Sequence, residues 1–182
     1  MEWRETSGQI DAANLIFIDE SGVTTEMTRR YGRARGGQRV DDAVPAGHWR
    51  TLTLLGAVSM SGWVATMTIE APTDGDVFLA YVEHMLCPKL RPEHCVVMDN
   101  LAAHKVDGVR QLIEAAGARL LYLPPYSPDF NPIEKCWAQL KQYLRAAKAR
   151  SAAALELAVT GALKALTPDQ ARACFKSCGY DL

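Results

Sequence analysis

Three acidic residues stand out by where they fall along the chain. Asp19 and Asp99 each follow a short apolar run, Leu15-Ile16-Phe17-Ile18 and Cys95-Val96-Val97-Met98. Uninterrupted runs of that kind suit strands buried on both faces of a sheet, which puts both acids at strand carboxyl ends. If the two strands are neighbours, their backbones lie about 4.8 Å apart and both carboxylates can share a cation. Two-metal sites hold their ions about 3.5–4 Å apart, a span that such a pair covers. Open α/β sheets commonly carry their sites at this end of the strands. Taken singly, either Asp could do no more than end a strand and begin a turn. The matching placement is what points to chemistry.

Glu134 is the third candidate. Asn131-Pro132-Ile133-Glu134 fits a capping box, with Asn as cap, Pro at the first helical position and Glu at the third, so its carboxylate has a purely structural use available. Ile133, Trp137, Leu140 and Leu144 form an apolar stripe with helical spacing. Lys141 and Arg145 follow Glu134 by seven and eleven residues, which brings them within about 20° of it around a helix of 3.6 residues per turn. One face of this helix thus meets a core, while the adjoining face presents an acid flanked by cations. That combination suits a metal ligand lying next to a phosphate backbone.

These acids need a sheet and helices to hold them. Besides the two apolar runs, Thr51 to Met60 and Trp63 to Ile69 read as strands around a Ser61-Gly62 turn, and Arg119 to Leu123 as a fifth, stopped by Pro124-Pro125. Helical patterns fill the gaps: Asp76 to Leu86, Val106 to Ala116 with Gly117 placed to end it, Ile133 to Leu144, an alanine-rich helix opened by Ser151, and a last one starting at Thr167-Pro168-Asp169-Gln170. Strands first, then strands alternating with helices, predict a mixed five-stranded α/β sheet with helices on its faces. At 182 residues the chain reads as a single domain over 1–182, with 151–182 its C-terminal helical part.

Composition narrows the function classes. Hydrophobic residues make up 48% and charged residues 23%, as in an ordinary globular protein. The longest apolar stretch is too short to span a bilayer, and the Met1-Glu2-Trp3-Arg4-Glu5 start does not resemble a signal peptide, so no membrane contact and a cytoplasmic location are expected. The five cysteines are an odd number without a CxxC pair. Cys174 and Cys178 sit four apart without His or further Cys nearby, so they read as incidental thiols and not as a zinc site. The net charge of −1 says little about nucleic acid, but its distribution says more. Arg29, Arg30, Arg33, Arg35 and Arg39 fall in a Gly-rich stretch without an acid, and Lys135 to Arg150 holds five basic residues and no acid. Such patches fit phosphate contact, in a loop or hairpin after the first strand and along the helix of Glu134.

The segment Leu123-Pro124-Pro125-Tyr126-Ser127-Pro128-Asp129-Phe130-Asn131-Pro132-Ile133-Glu134, followed by Trp137, Leu140 and Lys141, resembles the signature of DDE transposases. More narrowly it resembles the mariner-related endonucleases of bacterial insertion sequences. Phe17-Ile18-Asp19-Glu20-Ser21-Gly22, and Val97-Met98-Asp99-Asn100 followed by His104, are similar to the family's other two blocks. Between Asp99 and Glu134 lie 34 residues, a spacing like that of the superfamily. The resemblance covers roughly Leu15 to Arg145.

This resemblance implies a ribonuclease-H-like fold of the integrase type. It implies that Asp19, Asp99 and Glu134 carry two Mg²⁺ ions, with Mn²⁺ able to replace them, for cleavage and strand transfer on double-stranded DNA at transposon ends and target. Asn100 and His104 would orient ligands or touch DNA. Glu20, on the opposite sheet face from Asp19 if the strand continues, would play a supporting part. A homodimer is implied as well. Complete transposases of this type carry helix-turn-helix modules ahead of the catalytic domain, and about 14 residues precede the first strand here, so end recognition is expected from a separate polypeptide. Two rivals stay open: another metal-dependent nuclease of the same fold, such as a junction resolvase, and a decayed transposase persisting as a non-enzymatic DNA-binding or dimerising regulator.

Overall fold

The computed structural model describes residues 2–100 and 108–180. Five strands form one sheet in the order β3-β2-β1-β4-β5, with β1 Leu15–Thr24, β2 Thr51–Ser59, β3 Gly62–Ile69, β4 Cys95–Met98 and β5 Arg119–Tyr122. β2 runs antiparallel to both of its neighbours, β1 and β3, whereas β4 and β5 lie parallel to β1. The sheet is therefore mixed, as the element order predicts. Gly62, at φ +112°, closes the β2–β3 turn in a conformation that suits glycine.

Strand alternation divides the core. Leu15, Phe17, Cys95 and Val97 face one side, and Ile16, Ile18, Val96 and Met98 face the other. The first side is covered by α4 (Pro132–Ala147), α5 (Ala152–Ala165) and α6 (Pro168–Ser177), through residues such as Trp137, Leu155, Val159 and Phe175. The second is covered by α2 (Gly75–Tyr81), which continues as a π-helical turn over Val82–Leu86, and by α3 (Val109–Ala115). A short N-terminal helix, α1 (Glu2–Ser7), reaches the first core through Trp3.

The predicted caps are mostly made. Ser151 accepts the Ala154 N–H, and Thr167 with Gln170 forms a full capping box. Gly117, at φ +87°, follows α3 and lets it end. The capping box expected at Asn131–Glu134 is not formed: the Asn131 side chain makes no capping hydrogen bond, and its Oδ1 is buried without a partner. Pro132, which has no N–H to satisfy, still starts the helix. Val106, expected at the start of the helix that ends at Gly117, lies outside the described residues.

All five cysteines are free. The Gln139 amide of α4 donates to Cys174 Sγ of α6 at 3.3 Å, and the neighbouring Cys136 thiol lowers the pKa of Cys174. No helix among the described residues is long and apolar enough to cross a membrane.

Candidate active site

The central feature is the pairing of β1 with β4. The two run parallel with Leu15 beside Cys95 and Ile18 beside Met98. The residue after each of the last two is an aspartate, so Asp19 and Asp99 follow directly on the last paired rung of the two strands. Asp19 does not, however, end its strand. β1 continues to Thr24 because residues 19–24 pair antiparallel with Gly56–Thr51 of β2. Beyond Ile18 the apolar run gives way to an alternation in which Ser21 and Val23 are buried and Gly22 is exposed, a half-buried strand that the search for continuous runs passes over. Asp99 does stand just past the end of β4.

Alternation also decides which face Asp19 takes. Asp19 follows Leu15 and Phe17 along β1 and so belongs to the α4 face, while Asp99, just past β4, borders a cleft together with Asn131 and Glu134 at the start of α4. Asp19 is only 7% exposed, and its Oδ1 accepts the Glu20 N–H at 2.8 Å. Across β1–β2 it is opposite Gly56. A Cβ on Gly56 would lie 2.6 Å from the ring of Trp137 and 2.9 Å from that of Trp63. The missing side chain is what lets Trp137 settle over Gly56, packed on Trp63 with ring centroids 4.7 Å apart and planes tilted by 35°. Glu134 lies one turn earlier on the same helix and is exposed.

The connection from β5 to α4 completes the cleft. The Leu123 N–H donates to Met98 O at 2.9 Å, so the chain passes alongside Asp99 before turning through Pro124, Pro125 and Tyr126. Asp99, Asn100, Leu123, Tyr126, Asn131 and Glu134 are among the residues around a cleft of about 380 Å³. Behind it, Tyr180 donates to Phe130 O at 2.7 Å and accepts from the Trp3 indole at 3.2 Å, so residues near both ends of the chain brace the turn that leads into α4.

A second groove, of about 460 Å³, opens beside α4 and is lined by Arg29, Arg30, Tyr31, Gln142 and Arg145 among others. The sequence put these arginines in two separate runs; the structure joins them. Arg33 lines an adjoining hollow with Lys148 and Asp42, where Lys148 pairs with Asp42 at 2.6 Å and holds that carboxyl below its usual pKa. Arg35 and Arg39 are exposed on the same segment, and Lys141 is half-buried on α4. Residues 29–39 contain no strand and form a loop rather than a hairpin of their own.

Glu20 projects to the other face of the sheet with Leu55, its β2 neighbour, and its Oε2 is buried without a hydrogen bond. His104 lies outside the described residues. Gly56, Trp63, Tyr180 and Asp42 were not singled out from the sequence, since each acts through a contact that only the fold creates.

Asp19, Asp99 and Glu134 are hard oxygen donors, the ligand type that fits Mg²⁺ or Mn²⁺. As the side chains stand, no three carboxylate, imidazole or thiol groups among the described residues are drawn together as a ready-made metal cluster.

A mixed five-stranded sheet with helices on both faces and acids where its two central parallel strands meet is the ribonuclease-H-like type of domain. Residues 14–156 match the DDE superfamily endonuclease family, and the chain belongs to it. Among solved structures it is similar to the Mos1 mariner paired-end complex with Mn (TM-score 0.73, 17% identity, 97% of this chain and 55% of that one). It is similar also to a pre-cleavage Mos1 transpososome (0.69, 14%, 100% and 60%). A third is the Mos1 transposase catalytic domain with raltegravir and Mg (0.62, 15%, 100% and 90%). This chain thus spans 55–60% of the transposase chains in the first two. Identities this low speak for the fold. No curated protein sequence matches the chain significantly.

Proposed function

We propose that this chain is a transposase catalytic domain that cuts DNA strands at the ends of a mobile element and joins them to target DNA, using divalent cations. The observation that supports this reading is the parallel pairing of β1 with β4 up to Ile18 and Met98, directly before Asp19 and Asp99, together with the cleft that Asp99 shares with Glu134.

In this reading Asp19, Asp99 and Glu134 hold two Mg²⁺ ions, with Mn²⁺ as a substitute. The ions supply activation of a water or a DNA 3′-hydroxyl for in-line attack and stabilisation of the leaving 3′-oxygen. The protein's own groups do the rest. The Glu20 N–H fixes the rotamer of Asp19. Asn100, at the cleft wall, holds the neighbouring carboxylate or the DNA. Arg29, Arg30 and Arg145, with Lys141 nearer Glu134 and Arg33, Arg35 and Arg39 further along the loop, bind phosphates. His104 follows Asn100 in the matched block and belongs to the same set. Glu20 itself, on the far face, supports the strand and does not ligate.

The names of the relatives, paired-end complex and transpososome, favour double-stranded element ends as substrate and two copies acting together. Recognition of the end sequence would then come from a helix-turn-helix module, on a separate polypeptide if not on this one.

The test is strand cleavage of DNA carrying the inverted repeats that flank the gene, in Mg²⁺ or Mn²⁺. The wild-type protein nicks this DNA. Asp99→Asn keeps size but makes a far poorer ligand for a hard cation, and abolishes nicking with thermal unfolding unchanged. Nicking by Asp99→Asn at the wild-type rate would refute the assignment.

A further inference from the structure

Tyr126 is fully exposed, at 102% of its reference surface, and it holds φ +56°. Among the described residues one other non-glycine has positive φ: Lys148, at +50°, is the C-cap of α4, where left-handed backbone is ordinary. Tyr126 has no such excuse. It sits in the turn after Pro125, where glycine or asparagine would take the conformation freely, and an aromatic side chain is strained there by about 1–2 kcal/mol. Backbone strain of this kind is retained where the side chain has work that glycine cannot do.

The surroundings indicate the work. Tyr126 borders the cleft that also holds Asp99 and Glu134. The lining of that cleft is of two kinds: the polar Asp99, Asn100 and Glu134, and the uncharged run Leu123, Pro124, Pro125, Tyr126 and Pro128. The uncharged run leaves the Tyr126 ring uncovered among the described residues. Prolines before and after, and the Ser127 hydroxyl bonded to Pro125 O at 3.3 Å, stiffen the turn. A rigid exposed ring costs little conformational entropy when a flat partner covers it. Beside a site for phosphate and metal, the flat partner of matching chemistry is a nucleobase, and stacking accepts any base.

We propose that Tyr126 is a stacking platform for an unpaired base of DNA lying in the cleft beside Asp99 and Glu134, so that the site prefers frayed or single-stranded termini over closed duplex. This rests on the reading of the cleft as a DNA-cleaving site.

The test uses two duplexes of the same sequence, one blunt and one with a three-nucleotide 3′ overhang containing 2-aminopurine, with Ca²⁺ replacing Mg²⁺. Affinity is read by anisotropy and stacking by 2-aminopurine quenching. The wild-type protein prefers the overhang about tenfold, the effect of roughly 1.4 kcal/mol of stacking, and quenches the probe. Tyr126→Phe keeps both signals, and Tyr126→Ala loses both. Tyr126→Gly loses both while melting no lower than the wild type, since glycine accepts this φ without strain. Overhang preference and quenching that survive in Tyr126→Ala overturn the inference, as does wild-type binding with no preference. Asp99→Asn should still quench the probe; loss of all DNA binding by the wild type would instead overturn the proposed function, and the platform with it.

Discussion

Two connections run beside α4, and they are built on opposite principles. Residues 123–131 carry three prolines and are held at almost every step: Leu123 N–H to Met98 O, Phe130 N–H to Ser127 O, Asn131 N–H to Pro128 O, and Tyr180 onto Phe130 O. Residues 25–50 carry the densest run of arginines, contain no helix or strand, and are almost wholly exposed beyond Met27 and Thr28. Their ties come from the far end of α4, where Arg150 donates to Thr25 O and Met27 O, each at 3.0 Å, and Lys148 grips Asp42. A loop this long is uncommon in a compact domain unless it serves function. One connection fixes the position of the helix that carries Glu134. On the proposed function the other needs only to deliver positive charge, for which a tethered but open segment suffices. Geometry and charge are thus supplied by separate parts.

That division can be broken most severely at the helix seat. Trp137 is 1% exposed and its indole N–H has no partner, so its contribution is packing. Trp137→Ala should lower stability by about 3–5 kcal/mol, read from denaturant or thermal unfolding. A loss under about 1 kcal/mol would mean α4 is not anchored there.

Gly56→Ala is the sharper variant, with a smaller effect. The added methyl meets the Trp137 ring at 2.6 Å and the Trp63 ring at 2.9 Å. Overpacking of this sort costs typically about 1–3 kcal/mol. Because Gly56 pairs with Asp19 and the clash pushes on Trp137 of the helix that carries Glu134, cleavage should fall further than stability does, while DNA binding through the arginine groove persists. Equal losses of folding, binding and cleavage would show that Gly56 matters to the core alone.

How far these features could be read in advance follows the same line. The five strands, the helices that cover them and the caps at Ser151 and Thr167 were legible because hydrophobic period and capping chemistry are local. The pairing of the two strands that lead into Asp19 and Asp99 was legible only as a condition, since no single strand says which other strand is its neighbour. The continuation of β1 past Asp19 was missed because the partner that stabilises it, β2, begins 27 residues after that strand ends at Thr24. The unmade cap at Asn131 was misread for a related reason: the Asn-Pro-Ile-Glu string is right for a capping box, but the turn braced by Tyr180 fixes the entry instead. Gly56 could not be found at all from its surroundings in sequence, because its role is to be empty beneath a residue 81 positions away. Chemistry-bearing residue types were visible; what holds them in place was not.

The smallest effect on folding should come from the open connection, and it is the one that separates charge from geometry. Arg29 and Arg30 are exposed and Arg145 is half-buried beside them. Exposed substitutions usually move stability by no more than about 0.5 kcal/mol. Replacing all three by Ala should therefore leave the unfolding midpoint nearly where it was. DNA affinity should nevertheless drop for every sequence alike, and the slope of log affinity against log salt should flatten by about 0.9 for each phosphate no longer neutralised. Lys141→Ala, placed on α4 between the groove and Glu134, should add a further flattening of the same size if the backbone of the DNA runs from one to the other. An unchanged slope in the triple variant would reduce the arginine groove to a solvated surface. An unchanged slope for Lys141→Ala alone would keep the groove but direct the DNA away from Glu134, and the pairing of a rigid cleft with a charged arm on one substrate would have to be given up.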